Sequence, residues 1–407
     1  MNNSFVKPET ELYIQDSQSL IELCHLFAQS PILVIDTEFV RTRTLYPKLG
    51  LLQVYNGKVL ALIDPIAIDD LSPFWALLID NNICKVLHAC SEDLEVFLTA
   101  ANFTAEHPKP VNVMDSQIML SFLGHGLSMG YAAMIQHFTG IELDKSESRT
   151  DWTKRPLSDK QLTYAKADVE HLYNIYPELL KQLESAGWLQ AAQQETQRLI
   201  ERKFTPIDEN NLYRKVKMNW RLNAQQLNNL KFLTVWRYQK AQQRNLPIGF
   251  IVKDNTLMSI AANNPTSLHA MNKLEGAEVL DIKYQGKAML AILQQANDVA
   301  ADDYPTKLIR LDEYPDYKQI FKQMKSFIGN IAVQEGLSNE NLASKKQINQ
   351  FITWFFNINS EHSSVNVNNN TEANETVYQP SVDVLQGWRL SLFGEQLVQF
   401  AKNQFNH

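Results

Sequence analysis

Asp36 and Glu38 stand two residues apart at the end of a short apolar run, Ile32-Leu33-Val34-Ile35. Four branched residues in succession fit a strand buried on both faces. Side chains two apart on a strand point the same way, so both carboxylates would leave the strand tip together. Like charges held that close repel unless a cation lies between them, and hard divalent ions such as Mg²⁺ take oxygen ligands. The pair could therefore hold a metal. Taken alone, a D-x-E also fits a strand running out into a solvated acidic turn.

Two further segments could complete such a site. Asp93 falls in the first turn of a helix that Ser91 can cap and that runs to about Ala101. A carboxylate is favourable there for the helix dipole alone. Packed beside the strand, the same helix start would bring a third acid to the pair. Ser158-Asp159-Lys160-Gln161 is a capping box just after Pro156. On the helix it opens, Tyr164 and Asp168 are four apart and share one face. Leu162, Ala165, Val169, Leu172, Tyr173 and Tyr176 supply much of its apolar side.

The elements that must position these residues alternate in type. Residues 17–29 read as an amphipathic helix leading into the first strand. A loop with Arg41, Arg43, Tyr46 and Lys48 comes next, and then a hairpin in which Leu51–Tyr55 and Lys58–Ile63 flank Asn56-Gly57, the strongest two-residue turn signal. Residues 70–80 read as helix, Lys85–His88 as a short strand, Val111–Met114 as another, and 116–123 and 128–138 as helices. Three antiparallel strands followed by alternating elements predict an α/β domain with a mixed sheet.

D-T-E at 36–38, H-A-C-S-E-D at 88–93 and Y-A-K-A-D at 164–168 together resemble the three exonuclease motifs of the DEDD superfamily. The tyrosine four residues before the last aspartate is similar to the DEDDy branch, whose fold is ribonuclease H-like. D-T-E-F-V-R running into T-L-Y-P-K-L-G-L-L-Q-V, and later S-R-T-D-W-T-K-R-P-L, resemble the ribonuclease D family over most of residues 28–185. The resemblance implies that Asp36, Glu38, Asp93 and Asp168 hold two divalent ions, Mg²⁺ or Mn²⁺, and that Tyr164 orients or helps deprotonate the attacking water. Phosphodiester hydrolysis needs a nucleophilic hydroxide and shielding of phosphate charge, and a two-metal site supplies both. A tyrosine with a pKa of about 10 is a poor base at neutral pH, so positioning is the expected role. Arg41, Arg43, Trp152, Lys154 and Arg155 could contact phosphates or stack on bases, although each also fits an ordinary surface. His88 is expected in the core or behind the ligands rather than on the metal.

The chain has 407 residues, 44% hydrophobic and 20% charged, which fits two or three domains with ample core. No apolar run reaches the roughly 20 residues of a membrane span. The start, MNNSFVKPETELY, lacks the layout of a secretory signal. Three scattered cysteines with no CxxC fit reduced thiols, so a cytoplasmic location is expected. Gly124, Gly126 and Gly130 form no phosphate loop and no Walker motif exists, which argues against an ATP-driven helicase.

Charge is uneven along the chain. Residues 1–209 carry 17 Lys/Arg against 28 Asp/Glu, residues 210–297 carry 12 against 4, and the rest 9 against 13. An acidic module joined to a basic one suits a metal-dependent enzyme with a separate surface for a polyanion. A Gln/Glu-rich helix leads to Pro206, which marks the end of an exonuclease domain at 1–206. L-T-V-W-R-Y-Q-K-A-Q-Q-R-N-L-P-I-G-F-I-V-K-D (233–254) resembles an HRDC domain, the small helical module of ribonuclease D and RecQ-type helicases, placed at 210–297. Arg214, Lys215, Lys217, Arg221, Arg237, Lys240 and Arg244 make it basic, and Arg237, Lys240 and Arg244 are expected on nucleic acid backbone. Residues 302–407 resemble a second, degenerate HRDC repeat of architectural role, on L-A-S-K-K-Q-I and L-Q-G-W-R-L-S-L-F-G. Within it Asn359–Gln379 reads as a disordered insertion. The resemblance implies a monomeric 3′→5′ exoribonuclease that trims RNA, usually precursor tRNA 3′ ends, to 5′-mononucleotides. A 3′→5′ DNA exonuclease and a catalytically dead RNA-binding scaffold remain open.

Overall fold

The computed structural model describes residues 5–101, 108–358 and 382–405. The first half is a six-stranded sheet with helices on both faces. Its strands are β1 (Thr10–Ile14), β2 (Ile32–Val40), β3 (Lys48–Tyr55), β4 (Val59–Ile63), β5 (Cys84–Leu87) and β6 (Val113–Asp115), in the order β1-β4-β3-β2-β5-β6. β2, β3 and β4 pair antiparallel, whereas β1 joins β4, β5 joins β2 and β6 joins β5 in parallel. β1 was not expected from the sequence, because its T-E-L-Y-I is largely exposed and has no apolar run.

Among the described residues seven helices flank the sheet: α1 (Ser17–Phe27), α2 (Ser72–Leu78), α3 (Ser91–Ala100), α4 (Ser116–Phe122), α5 (Tyr131–Thr139), α6 (Asp159–Ser185) and α7 (Leu189–Phe204). Alternation along β2 sorts the strand between two cores. Leu33 and Ile35 pack with α1, α2 and α3, and Val34 packs with α4, α5 and α6. At the hairpin, Asn56 Oδ1 accepts the N–H groups of Lys58 and Val59, and Gly57 takes φ +91°, a conformation that costs glycine little. The capping box of α6 closes in both directions between Ser158 and Gln161.

Two helical modules come after the sheet domain. The first has α8 (Ala224–Arg244), α9 (Ile248–Ile251), α10 (Asp254–Asn263), α11 (Leu268–Met271) and α12 (Val279–Asn297) around a core of its own that includes Leu230, Leu233, Ile260 and Met289. The second has α13 (Tyr317–Glu335), α14 (Asn339–Leu342), α15 (Lys345–Phe355), α16 (Gly387–Arg389) and α17 (Glu395–Phe405). Its core is continuous with the α6 face of the sheet domain. The insertion expected at Asn359–Gln379 lies outside the described residues. Among the described residues no helix is long and apolar enough to cross a membrane.

Candidate active site

β2 loses its parallel neighbour β5 after Val34, while β3 continues to pair opposite Asp36 and Glu38. The two carboxylates thus leave the sheet where one side of β2 is uncovered, on the face packed by α6. A register shift between Glu38 and Phe39 ends the regular ladder there. From α6, Asp168 comes in on the same face. Carboxylate oxygens of Asp36, Glu38 and Asp168 all lie within 4.8 Å of one another. Asp93 arrives from the start of α3, and Thr37, which points to the other face of β2, donates to its Oδ1 at 2.5 Å.

Glu38 and Asp93 are buried, and among the described residues no Lys or Arg pairs with any of the four acids. Burial, reinforced by the charges of Asp168 and Asp93, pushes Glu38 up to about 9. Burial lifts Asp168 to about 8 and Asp93 to about 7, against the hydrogen bonds from Tyr164 and Thr37 respectively. Asp36 is raised well above the carboxylate range by burial and then by Asp93, Asp168 and Glu38. Such a cluster either shares protons or takes up cationic charge. Three carboxylates within 4.8 Å of one another, with Asp93 beside them and no basic side chain among them, are hard oxygen donors that fit a hard divalent cation and fit no soft metal. The Tyr164 hydroxyl bonds to Asp168, and burial together with the neighbouring acids holds it protonated far above its usual range. A group in that state donates a hydrogen bond; it does not serve as a base.

Several supports had no local signal in the sequence. Asp115, at the end of β6, accepts the N–H groups of Ala89 and Cys90 at 3.0 and 2.9 Å as well as those of Gln117 and Ile118. One buried carboxylate thereby fixes the turn before α3 and caps α4. Ser91 is not the cap of α3 as expected: Cys90 occupies that position without a side-chain bond, and Asp115 holds the two residues before the helix instead. Tyr131 donates to the Ala167 carbonyl at 2.8 Å, directly before Asp168. His88 bridges Ser116 Oγ and the Met129 carbonyl and meets the Tyr131 ring edge-on, behind the acids as expected. Gln53, opposite Asp36 in the β2–β3 register, is fully buried, and neither polar atom of its side chain finds a partner among the described residues.

Three of the residues expected on nucleic acid are occupied elsewhere. Trp152 is 1% exposed and packs near Tyr164 inside the core, so it has no free face for a base. The Arg155 guanidinium is held by both Asp64 oxygens and by the carbonyls of Gly50, Trp152 and Lys154, a brace across the sheet rather than a phosphate contact. Arg237 is 6% exposed and donates to Val252 O and Asp254 Oδ1 within the first helical module. Arg43, Lys154 and Arg244 are exposed and Lys240 is half-buried. Arg41 is exposed but tied to Glu95 and to the Leu45 carbonyl.

A mixed sheet whose strand β2 presents two acids where its parallel neighbour ends, joined by an acid from α3 and an acid and a tyrosine from α6, is the frame of a 3′–5′ exonuclease, and the 3′-5′ exonuclease family profile matches residues 12–184. An HRDC domain profile matches residues 226–293, and that of the ribonuclease D C-terminal HRDC domain matches 315–397. Ribonuclease D of Cronobacter turicensis is 38% identical over 390 residues, 96% of this chain and 100% of that protein. Ribonuclease D of Escherichia coli strain K12 is 39% identical over 384 residues, 94% of this chain and 96% of that one. The crystal structure of the Escherichia coli protein, described as an exoribonuclease involved in structured RNA processing, superposes with a TM-score of 0.85 at 37% identity, covering 96% of this chain and 98% of the other. The chain belongs to the ribonuclease D family.

Proposed function

We propose that this protein removes nucleotides one at a time from RNA 3′ ends by hydrolysis assisted by two divalent ions, releasing 5′-mononucleotides, and that 3′-extended precursor tRNA is among its substrates. The convergence of Asp36, Glu38 and Asp168 within 4.8 Å, with Asp93 beside them, carries this reading. Bound there, divalent ions supply the hydroxide nucleophile and screen the charge of the scissile phosphate. Thr37 keeps the Asp93 carboxylate aimed at the site, and Tyr164, its proton held on Asp168, offers its hydroxyl oxygen to orient the attacking water. The name and description of the Escherichia coli relative support RNA as the polymer, and the basic balance of residues 210–297 supports a separate grip on its backbone.

The test is to incubate 3′-extended tRNA, its DNA equivalent and 3′-blocked RNA with the protein, with Mg²⁺ or Mn²⁺ and with chelator, beside Asp36→Ala. The expected result is mononucleotide release from the free 3′ end of RNA only, abolished by chelator and by the substitution. Activity that survives either treatment would overturn the metal reading, and faster loss of DNA would replace RNA as substrate. Tyr164→Phe should lower kcat by about 10²-fold, the usual scale for losing a hydrogen-bonding group that positions a reacting atom. Its Mn²⁺ affinity by calorimetry should stay near wild type, because the phenol is not a ligand.

A further inference from the structure

The first helical module reaches the catalytic face through the end of α8. Asn245 terminates that helix in the left-handed region, φ +48°. Its Oδ1 accepts the backbone N–H groups of Leu45 at 3.1 Å and Tyr46 at 3.0 Å, and its carbonyl also accepts the Leu45 N–H at 3.3 Å. Leu45 packs against the module's own core, and Gln242, one turn earlier on α8, donates to the Tyr46 hydroxyl at 3.4 Å. The loop held in this way begins three residues after Glu38. Within it, Arg41 donates to the Leu45 carbonyl at 2.8 Å and to Glu95 Oε1 at 2.6 Å. Glu95 lies two residues beyond Asp93 on α3 and also faces Lys203 of α7 at 3.5 Å. A continuous run of polar contacts therefore joins the tip of α8 to the helix that carries the third acid.

We propose that Asn245 is a positioning residue for catalysis: by clamping the 41–46 loop it fixes Arg41 on Glu95, and so holds the first turns of α3 that present Asp93. The proposal rests on the exonuclease reading above and gives the first module a second task besides gripping RNA. Asn245 touches neither substrate nor the reacting atoms. Without the side-chain acceptor, the Tyr46 N–H turns to water and the Leu45 N–H keeps only its longer bond to the carbonyl of residue 245, so the loop regains conformational freedom that β2 and β3 at its two ends do not remove.

Two substitutions separate this role from helix capping. Asn245→Gly keeps the left-handed cap, which glycine adopts without cost, but removes the side-chain acceptor. Asn245→Asp keeps both. Turnover is measured on an RNA trinucleotide and on 3′-extended tRNA, and hydrogen exchange is measured on residues 41–46 and the start of α3. Asn245→Gly is expected to lower kcat several-fold on both RNAs with little change in KM for the tRNA, and to speed exchange in both segments. Asn245→Asp should stay near wild type in every readout. Wild-type kcat in Asn245→Gly overturns the proposal, as does equal damage from both substitutions or a change confined to KM for the tRNA. If wild-type protein degrades neither RNA, the exonuclease reading fails instead. Exchange then still judges the clamp: unchanged rates in Asn245→Gly overturn it.

Discussion

The two helical modules meet the nuclease in opposite ways. The first keeps a closed core of its own and touches the sheet domain through Leu45 and Tyr46, whose N–H groups donate to Asn245, and through a hydrogen bond from Gln242. The second has no separate core. Trp388 inserts against Phe122 and Trp188, Arg389 pairs with Glu195 and donates to the carbonyls of Asn341 and Leu342, and Asn341 donates to the Ser121 carbonyl. Burial of large apolar side chains across a boundary binds two modules into one cooperative unit, whereas a polar contact at a loop leaves each free to unfold on its own. The second module is therefore part of the nuclease body, and the first is an attachment that can adjust.

That contrast is open to direct attack. The largest effect should come from Trp388→Ala, which removes an aromatic anchor and costs about 3–5 kcal/mol. Denaturant unfolding monitored by probes in both regions should show the nuclease and the second module shifting together, with the first module's transition unmoved. If the first module shifts as well, the three regions form one unit.

The next effect is set by pH. Glu38, Asp168 and Asp93 have folded-state values near 9, 8 and 7 against ordinary values near 4. The folded protein without metal therefore binds more protons than the unfolded chain between these limits. Its stability should be fullest below about pH 4 as far as these groups are concerned, and should fall as pH rises to about 9. Mn²⁺ should cancel the fall. Both changes belong in the transition shared by the nuclease and the second module. A chelated protein whose midpoint is flat over that range, or whose first module carries the pH dependence, would contradict the assignment.

The smallest effect on stability, within about 0.5 kcal/mol, is expected from Lys240→Gln with Arg244→Gln, since both side chains are at least partly exposed on α8. RNA affinity should nevertheless drop, and the slope of log affinity against log salt should shrink by about 1–2 units. The same charge removal at Lys345 and Lys346 of the second module should leave that slope nearly unchanged. Equal slopes for the two double variants would mean that both modules grip RNA alike.

Local chemistry explains what was legible along the chain. Asn56-Gly57 names its turn because only a few residues tolerate that backbone, and Ser158 with Gln161 names a helix start because both halves of the capping box lie within four residues. Tyr164 and Asp168 share a face by helical period alone. Asp36 and Glu38 share one by strand alternation. The 41–46 loop, by contrast, reads as a bare basic segment until Asn245 is seen on it two hundred residues later.

The sequence by itself determined which residue types could bind a divalent ion, their order along the chain, and the alternation of elements that carries them, because periodicity and capping act over a few residues. Tertiary structure alone decided which polar side chains were already spoken for. Trp152, Arg155 and Arg237 read as surface contacts, yet burial and the partners Asp64, Val252 and Asp254 consume them. Asp115 and Tyr131 carried no signal, because the groups they hold, the turn before Asp93 and the carbonyl before Asp168, are close only in the folded chain. A side chain's partner depends on distance through space, and neither composition nor spacing encodes that.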